Sequence, residues 1–184
     1  MRERAISRRG FLEKGSGLLA GTAVLSGKSF ALNQESLQVM KDELSPEELK
    51  WVNQSLMSKN LKNYFGEGYS CAESLLMVSL EYLGRSKEIL WTAAGFGGGM
   101  LHGDLCGFLT GGVMAIGVWG GTLSLQRNEA KERVAHNVEE FWKWWKSIAP
   151  FRCKEIQSQG SNPQRCFRLG RLAAAKIHDL ILMT

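Results

Sequence analysis

No two of the four cysteines in this chain are separated by only two residues. The lack of a C-x-x-C pair excludes the thioredoxin-type dithiol, c-type haem attachment and the usual zinc-ribbon pairing. It also excludes the local cysteine runs of ferredoxins. The chain contains neither a G-x-x-x-x-G-K-[ST] phosphate loop nor a recognisable Ser/His/Asp set. If the protein is an enzyme, sulfur therefore carries the chemistry.

An excess of positive charge is lacking over most of the chain, although the net charge is +5. Residues 1–31 hold six basic and two acidic residues, whereas residues 32–184 hold 17 basic and 16 acidic ones. Because the larger part is nearly neutral, we expect no nucleic-acid-binding surface.

The first 31 residues have the pattern of an export signal. A basic opening is followed by an uncharged run over 15–27 and by small residues at Ser29 and Ala31. The stretch SRRGFLEK, with Arg8 and Arg9, resembles the twin-arginine signal, which implies export of a folded protein to the periplasm or cell surface. We expect membrane contact only through an uncleaved signal. Residues 32–44 are interpreted as a linker and 45–184 as one domain.

Alternating apolar and polar runs of useful length are missing, so we expect no sheet. The sequence predicts a compact all-α bundle of about five helices, over 45–65, 71–84, 105–125, 128–148 and 162–183, with a short helical piece at 87–94. The stretch 105–125 has no charged residue and is long enough to span a bilayer. Its glycines and hydroxyl groups favour a central buried helix instead, with Asp104 as its cap.

A glycine-rich loop, GFGGGMLHGDLCG at 95–107, lies beside Cys106. Such a loop can point several backbone N–H groups at one anion. With no nucleotide motif present, we expect that anion to be sulfur, as a thiolate or a negatively charged cluster. His102 either replaces a thiolate ligand, tunes the site through a hydrogen bond or faces water. The residues expected to contribute are Gly97, Gly98, Gly99, His102, Gly103 and Gly107.

The cysteines occupy positions that favour negative charge. Cys71, Cys106 and Cys166 fall in the first turns of predicted helices, and Cys153 lies in a loop between two basic residues, Arg152 and Lys154. Helix N-termini and nearby cations lower thiol pKa values. Three interpretations stay open, with zinc as a minor fourth. They are an iron–sulfur cluster on four thiolates, a thiol/disulfide oxidoreductase with Cys106 as nucleophile, and two structural disulfides.

The sequence also resembles a known family through YSCAESLL, GFGGGMLHGDLCGFLTGGVMAIG and the two later cysteines. This is the redox-active family named C-GCAxxG-C-C after its four cysteines. Its motif, taken as Cys-Gly-Ala-x-x-Gly, is met by Cys106, Gly107 and Gly111, with Phe108 in place of alanine.

The resemblance implies a small helical protein whose four cysteines act together in redox chemistry or cluster binding. We therefore expect an electron-transfer protein with a redox protein as its partner. A [2Fe–2S] cluster is the preferred cofactor, with the ligands Cys71, Cys106, Cys153 and Cys166.

Overall fold

The computed structural model describes residues 41–158, 160 and 162–183. Within these residues the backbone forms helices and two isolated β-bridges but no strand, which confirms the all-α prediction. Short 3-10 segments occupy Leu61–Asn63 and Lys87–Phe96. The α-helices are α1 (Pro46–Val52), α2 (Leu56–Asn60), α3 (Cys71–Tyr82), α4 (Gly107–Gly120), α5 (Arg127–Ile148), α6 (Cys153–Ser158) and α7 (Pro163–Leu182). The predicted export signal at 1–31 lies outside the described residues, as does most of the predicted linker.

Side-chain caps determine where several helices begin. The Ser70 hydroxyl accepts a hydrogen bond from the N–H of Glu73, and the Glu73 carboxylate accepts one from the N–H of Ser70. This reciprocal pair satisfies two amides that have no partner within the helix. It makes Cys71 the first residue of α3. Asn162 caps α7, in agreement with the helix predicted over 162–183.

The single helix predicted over 45–65 is divided in the structure. Asn53 ends α1, and the buried Ser55 begins α2 by accepting a hydrogen bond from the N–H of Ser58 at 3.2 Å. Apolar spacing alone suggested a continuous helix, but a serine that caps the next turn interrupts it. A second difference is α6, because the sequence predicted a loop around Cys153.

The central helix is α4, which packs against α3, α5 and α7 and is mostly buried. A Cβ atom on Gly111 would lie 2.7 Å from the carbonyl oxygen of Ala72, so glycine permits the close approach of α3. The helix is shorter than the predicted 105–125. The predicted cap is wrong, since Cys106 and not Asp104 is the N-cap residue. Among the described helices, none combines the length and the apolar character needed to cross a membrane.

Two ion pairs attach the start of the described chain to α7. Asp42 pairs with Arg165, with 2.8 Å between Oδ1 and Nε, and Glu48 pairs with Arg168. Both arginine side chains are largely buried. The end of the predicted linker at 32–44 is therefore in contact with the helix that carries Cys166.

Candidate functional site

An antiparallel bridge between Leu105 and Arg152 brings the second and third cysteines together. The Cys106 N–H donates to the carbonyl oxygen of Phe151 at 2.8 Å, and the Cys153 N–H donates to that of Asp104 at 2.7 Å. These reciprocal bonds connect the segment before α4 to the start of α6. Two cysteines that are 47 positions apart in the numbering thus lie on directly paired backbone.

The first and fourth cysteines reach the same region from two other helices. A Cβ atom on Gly107 would lie 3.1 Å from the Cβ of Cys71, so the N-termini of α3 and α4 are in close contact. Cys71 and Cys166 share the wall of a cavity of about 210 Å³, which Ile156 and Arg165 also line. Cys71 and Cys166 are half-buried, whereas Cys106 and Cys153 are only 5% and 6% exposed.

Electrostatic interactions show that the four thiols form one group. Besides burial, repulsion from Cys71 raises the pKa of Cys106, of Cys153 and of Cys166. Cys153 has the same effect on Cys106 and Cys166. Cys71 and Cys153 therefore each interact with the other three sulfurs.

The prediction of lowered thiol pKa values is wrong for the ligand-free protein. Burial raises the pKa of Cys71, Cys106 and Cys153, and raises that of Cys166 to about 11. Removal from water disfavours the thiolate, and at these positions its effect exceeds that of the helix N-termini. All four cysteines are free thiols, so the structure does not contain the two structural disulfides that were one interpretation.

Backbone N–H groups nevertheless point at two of the sulfurs. The Gly98 N–H donates to the sulfur of Cys71, which lowers its pKa but less than burial raises it. The N–H groups of Phe108 and Leu109 also lower the pKa of Cys106, although the Cys106 side chain makes no capping hydrogen bond to α4. An amide of the glycine-rich loop therefore does contact sulfur, although its acceptor is Cys71 and not the adjacent Cys106.

A left-handed turn places the Gly98 amide. Gly98 and Gly99 have φ values of 60° and 68°, and Met100 and Leu101, at 55° and 63°, share this conformation. The turn closes with a hydrogen bond of 2.9 Å from the N–H of Asp104 to the carbonyl oxygen of Gly99. Each non-glycine residue in this conformation costs roughly 1–2 kcal/mol. The bonds between the turn and α6 hold this strained backbone in place.

The other glycines of the loop are positions of close packing. A Cβ atom on Gly99 would lie 2.8 Å from the Cβ of Cys153, and one on Gly97 would lie 2.5 Å from that of Ser70. Gly103 packs in the same way on Lys154, at 3.2 Å. His102 is exposed, as is its neighbour Leu101. The glycines thus fit the loop against the segments that carry cysteines, while His102 points into solvent.

The cation that acts on the thiols was not identified from the sequence. Arg152 instead pairs with Asp104 at 3.6 Å near the surface, and Lys154 is exposed. The buried Arg165 lowers the pKa of Cys166, an effect outweighed by burial and by the thiols of Cys71 and Cys153. Arg165 directly precedes Cys166 in the stretch NPQRC, and this adjacency is the sequence signal that could have identified it.

The donor set fits an iron–sulfur cluster in chemistry but is not a ready-made metal site. Four sulfurs with amide donors and little water match the ligands that such clusters use. Within 41–158, 160 and 162–183, however, no three His, Cys, Asp or Glu side chains are placed to hold a metal ion. Cluster binding therefore requires the thiol side chains to move toward a common centre.

This fold and site define the class: a helical domain with four free thiols in one region, suited to sulfur-based redox chemistry. The chain belongs to the family described as "Putative redox-active protein (C_GCAxxG_C_C)", which it matches over residues 69–180. Those letters place glycine before the second cysteine and alanine after it, whereas Leu105 and Gly107 flank Cys106. Aligned on Cys106, the chain departs from these letters at Leu105, Gly107 and Thr110, and Gly111 lies one position beyond the final glycine of the pattern. No curated protein and no solved structure gives a significant match.

Proposed function

We propose that the four cysteines form one redox site that carries electrons, with an iron–sulfur cluster, most simply [2Fe–2S], as its cofactor. The observation that supports this most strongly is that paired backbone, close helix packing and one shared cavity bring the four cysteines into one region. Family membership supports redox activity of the whole group. A bound cluster would supply one-electron chemistry that thiols alone do not provide.

The residues of the site have separate parts in this proposal. Cys71, Cys106, Cys153 and Cys166 provide the sulfur ligands, and binding iron removes the protons that burial otherwise retains on them. The N–H groups of Gly98, Phe108 and Leu109 favour negative charge on Cys71 and Cys106 and would stabilise charge added to the site. The burial of Cys106 and Cys153 keeps water away from the centre.

One observation favours a second candidate, a thiol/disulfide oxidoreductase. Cys71 and Cys166 line the same cavity and are the two thiols that solvent reaches. In this reaction the two thiols form a disulfide, and the two electrons and two protons pass to a disulfide of the partner protein. The burial of Cys106 makes it a poor starting nucleophile, so the exchange would begin at Cys71 or Cys166.

Anaerobic reconstitution of the full chain with iron and sulfide tests the first proposal. We expect visible charge-transfer absorption, iron and acid-labile sulfide in equal amounts, and reversible one-electron reduction. The Cys71→Ser variant should lose these properties because Cys71 interacts with every other ligand. The matched control is Ser74→Ala on the same helix, where the buried hydroxyl has no hydrogen-bond partner in the described part of the chain.

One result would separate the candidates, and two variants check folding and the ligand set. A colourless, iron-free protein in which Cys71 and Cys166 form a reversible disulfide would support the oxidoreductase and overturn the cluster. Loss of colour in Ser74→Ala as well as in Cys71→Ser would show that the effect is on folding and not on ligation. A His102→Ala variant should keep its iron, since the exposed imidazole is not needed as a ligand.

We also propose that the protein is exported by the twin-arginine route and exchanges electrons with a redox protein there. Arg8 and Arg9 within SRRGFLEK support the route. Replacing both by lysine should retain the chain in the cytoplasm, as cell fractionation would show. Unchanged export of that variant would contradict the proposal.

A further inference from the structure

Arg165 is a buried cation at the cysteine site. Its side chain is 7% exposed, and it lines the cavity between Cys71 and Cys166. Burying a guanidinium is costly unless charge and hydrogen bonds compensate. An arginine in such a position therefore needs specific partners, and their identity indicates what the residue holds together.

Hydrogen bonds connect Arg165 to the segment at Asp42 and to the stretch that runs from α6 to Gly160. Its Nε donates to Asp42 Oδ1 at 2.8 Å, and its Nη1 donates to the carbonyl oxygens of Ile156 at 3.0 Å and Gly160 at 3.2 Å. Ile156 belongs to α6, which begins at Cys153, and Arg165 itself belongs to α7, which carries Cys166. One guanidinium thus connects the helices of the two C-terminal cysteines.

Arg168 provides a comparison on the same helix. Its side chain is equally buried, at 8% exposed, and pairs with Glu48. It lines a different cavity, together with Asp42, Leu44 and Phe167. The pairs Asp42–Arg165 and Glu48–Arg168 are therefore similar in burial and charge, but only the first adjoins the thiols.

We propose that Arg165 is a positioning residue of the redox site, which holds α6 against α7 and places positive charge beside Cys71 and Cys166. This inference rests on the proposed function. Reduction by dithionite transfers one electron to the oxidised site, which gains one negative charge. A fixed positive charge stabilises that reduced form, so Arg165 raises the midpoint potential.

Redox titration of the reconstituted full chain tests the charge. Arg165→Gln should lower the midpoint potential, and Arg165→Lys should restore it toward the wild-type value. Asp42→Asn should raise the potential, because it removes a negative charge but keeps the oxygen that accepts from Arg165. The Asp42 side chain is 40% exposed, so this variant is expected to fold even where Arg165→Gln does not.

The Glu48–Arg168 pair, which does not adjoin the thiols, supplies matched controls for both variants. Arg168→Gln and Glu48→Gln should leave the potential at its wild-type value. Equal shifts for variants of the Asp42–Arg165 and Glu48–Arg168 pairs, or an unchanged potential in Asp42→Asn, would overturn the inference. A wild-type protein without a reversible one-electron couple would instead overturn the proposed function. The two failures are thus distinguishable.

Alkylation of the cluster-free protein tests the positioning role separately. Cys153 is buried at the start of α6, and Arg165 donates a hydrogen bond to the carbonyl oxygen of Ile156 in α6. Iodoacetamide should modify Cys153 about tenfold faster in Arg165→Gln than in Arg168→Gln, because the loss of charge-assisted hydrogen bonds allows α6 to open more often. Equal rates in these two variants would contradict the role of Arg165 in holding α6.

Discussion

Gly99 is the residue of the turn with the least free space around it. A Cβ atom there would lie 2.5 Å from the carbonyl oxygen of Asp104 and 2.8 Å from the Cβ of Cys153. We expect Gly99→Ala to lower the free energy of unfolding by about 2–4 kcal/mol, from steric overlap and the left-handed backbone together. Denaturant unfolding of the ligand-free protein measures this change.

Gly98→Ala is the control for that substitution. Gly98 has a similar φ of 60° but no atom within 4 Å of the added methyl group. We expect a loss of only about 1–2 kcal/mol, the cost of the backbone conformation. Equal losses in the two variants would show that the contact of Gly99 with the Cys153 segment does not matter.

For single residues, the sequence allowed the close packing of the glycine loop to be predicted but not the electrostatics of the thiols. Gly97, Gly99 and Gly103 pack against segments that carry cysteines, because a glycine run permits close approach. The role of these residues and of the four cysteines in holding a cofactor stays a prediction. The thiol pKa values were predicted with the wrong sign, because helix position can be inferred from sequence whereas burial depends on the whole fold. Arg165 was missed for the same reason, since its partners Asp42 and Ile156 are brought to it only by folding.

Among the helices, α4 shows most clearly how small residues determine packing. Gly111 faces α3, where a Cβ atom would lie 2.7 Å from the Ala72 carbonyl oxygen and 3.0 Å from its Cα. Both obstacles are backbone atoms that cannot rotate away. We expect Gly111→Ala to lower the free energy of unfolding by about 2–3 kcal/mol and to move the N-terminus of α3, with Cys71, away from α4. Denaturant unfolding and iron binding measure the two effects.

Gly117 in the same helix gives the opposite expectation. It is exposed and has no atom within 4 Å of an added Cβ. Because alanine favours the helix more than glycine does, Gly117→Ala should raise the free energy of unfolding by about 0.5–1 kcal/mol. A loss of stability in this variant would mean that glycine is needed at 117 for a reason other than space.

Helix starts were predictable where the sequence carries a local cap, as at Ser45, Ser70 and Asn162. The break between α1 and α2 and the start of α6 were not predictable in this way. The interruption at 53–55 follows from a serine cap inside an apolar pattern that continues through it. Helix α6 has only six residues, and its first amide bonds to the Asp104 carbonyl, a tertiary partner that local spacing does not reveal.

On the scale of the whole molecule, the four cysteines come from the starts of α3, α4, α6 and α7, of which only α6 and α7 are close in the sequence. The shared site could be expected only from the family resemblance, because cysteine gaps alone give no distances. The contribution of Asp42 to the same assembly could not be expected, since residues 32–44 were interpreted as a linker. The structure instead pairs Asp42 with Arg165 and half-buries Leu44 near Val52 and Leu172.

Two N-terminal deletions test whether this segment is part of the domain. Removal of residues 1–37 should leave the free energy of unfolding unchanged, because the described residues, which begin at 41, belong to one compact unit. Removal of residues 1–44 also takes away the carboxylate of Asp42 and the side chain of Leu44. We expect this second deletion to cost about 1–2 kcal/mol, a value reduced by the partial exposure of Asp42. Thermal and denaturant unfolding of both chains would measure it. Equal stability of the two would mean that the Asp42–Arg165 pair contributes nothing to the fold, and a large loss in the first would place an essential contact before residue 38.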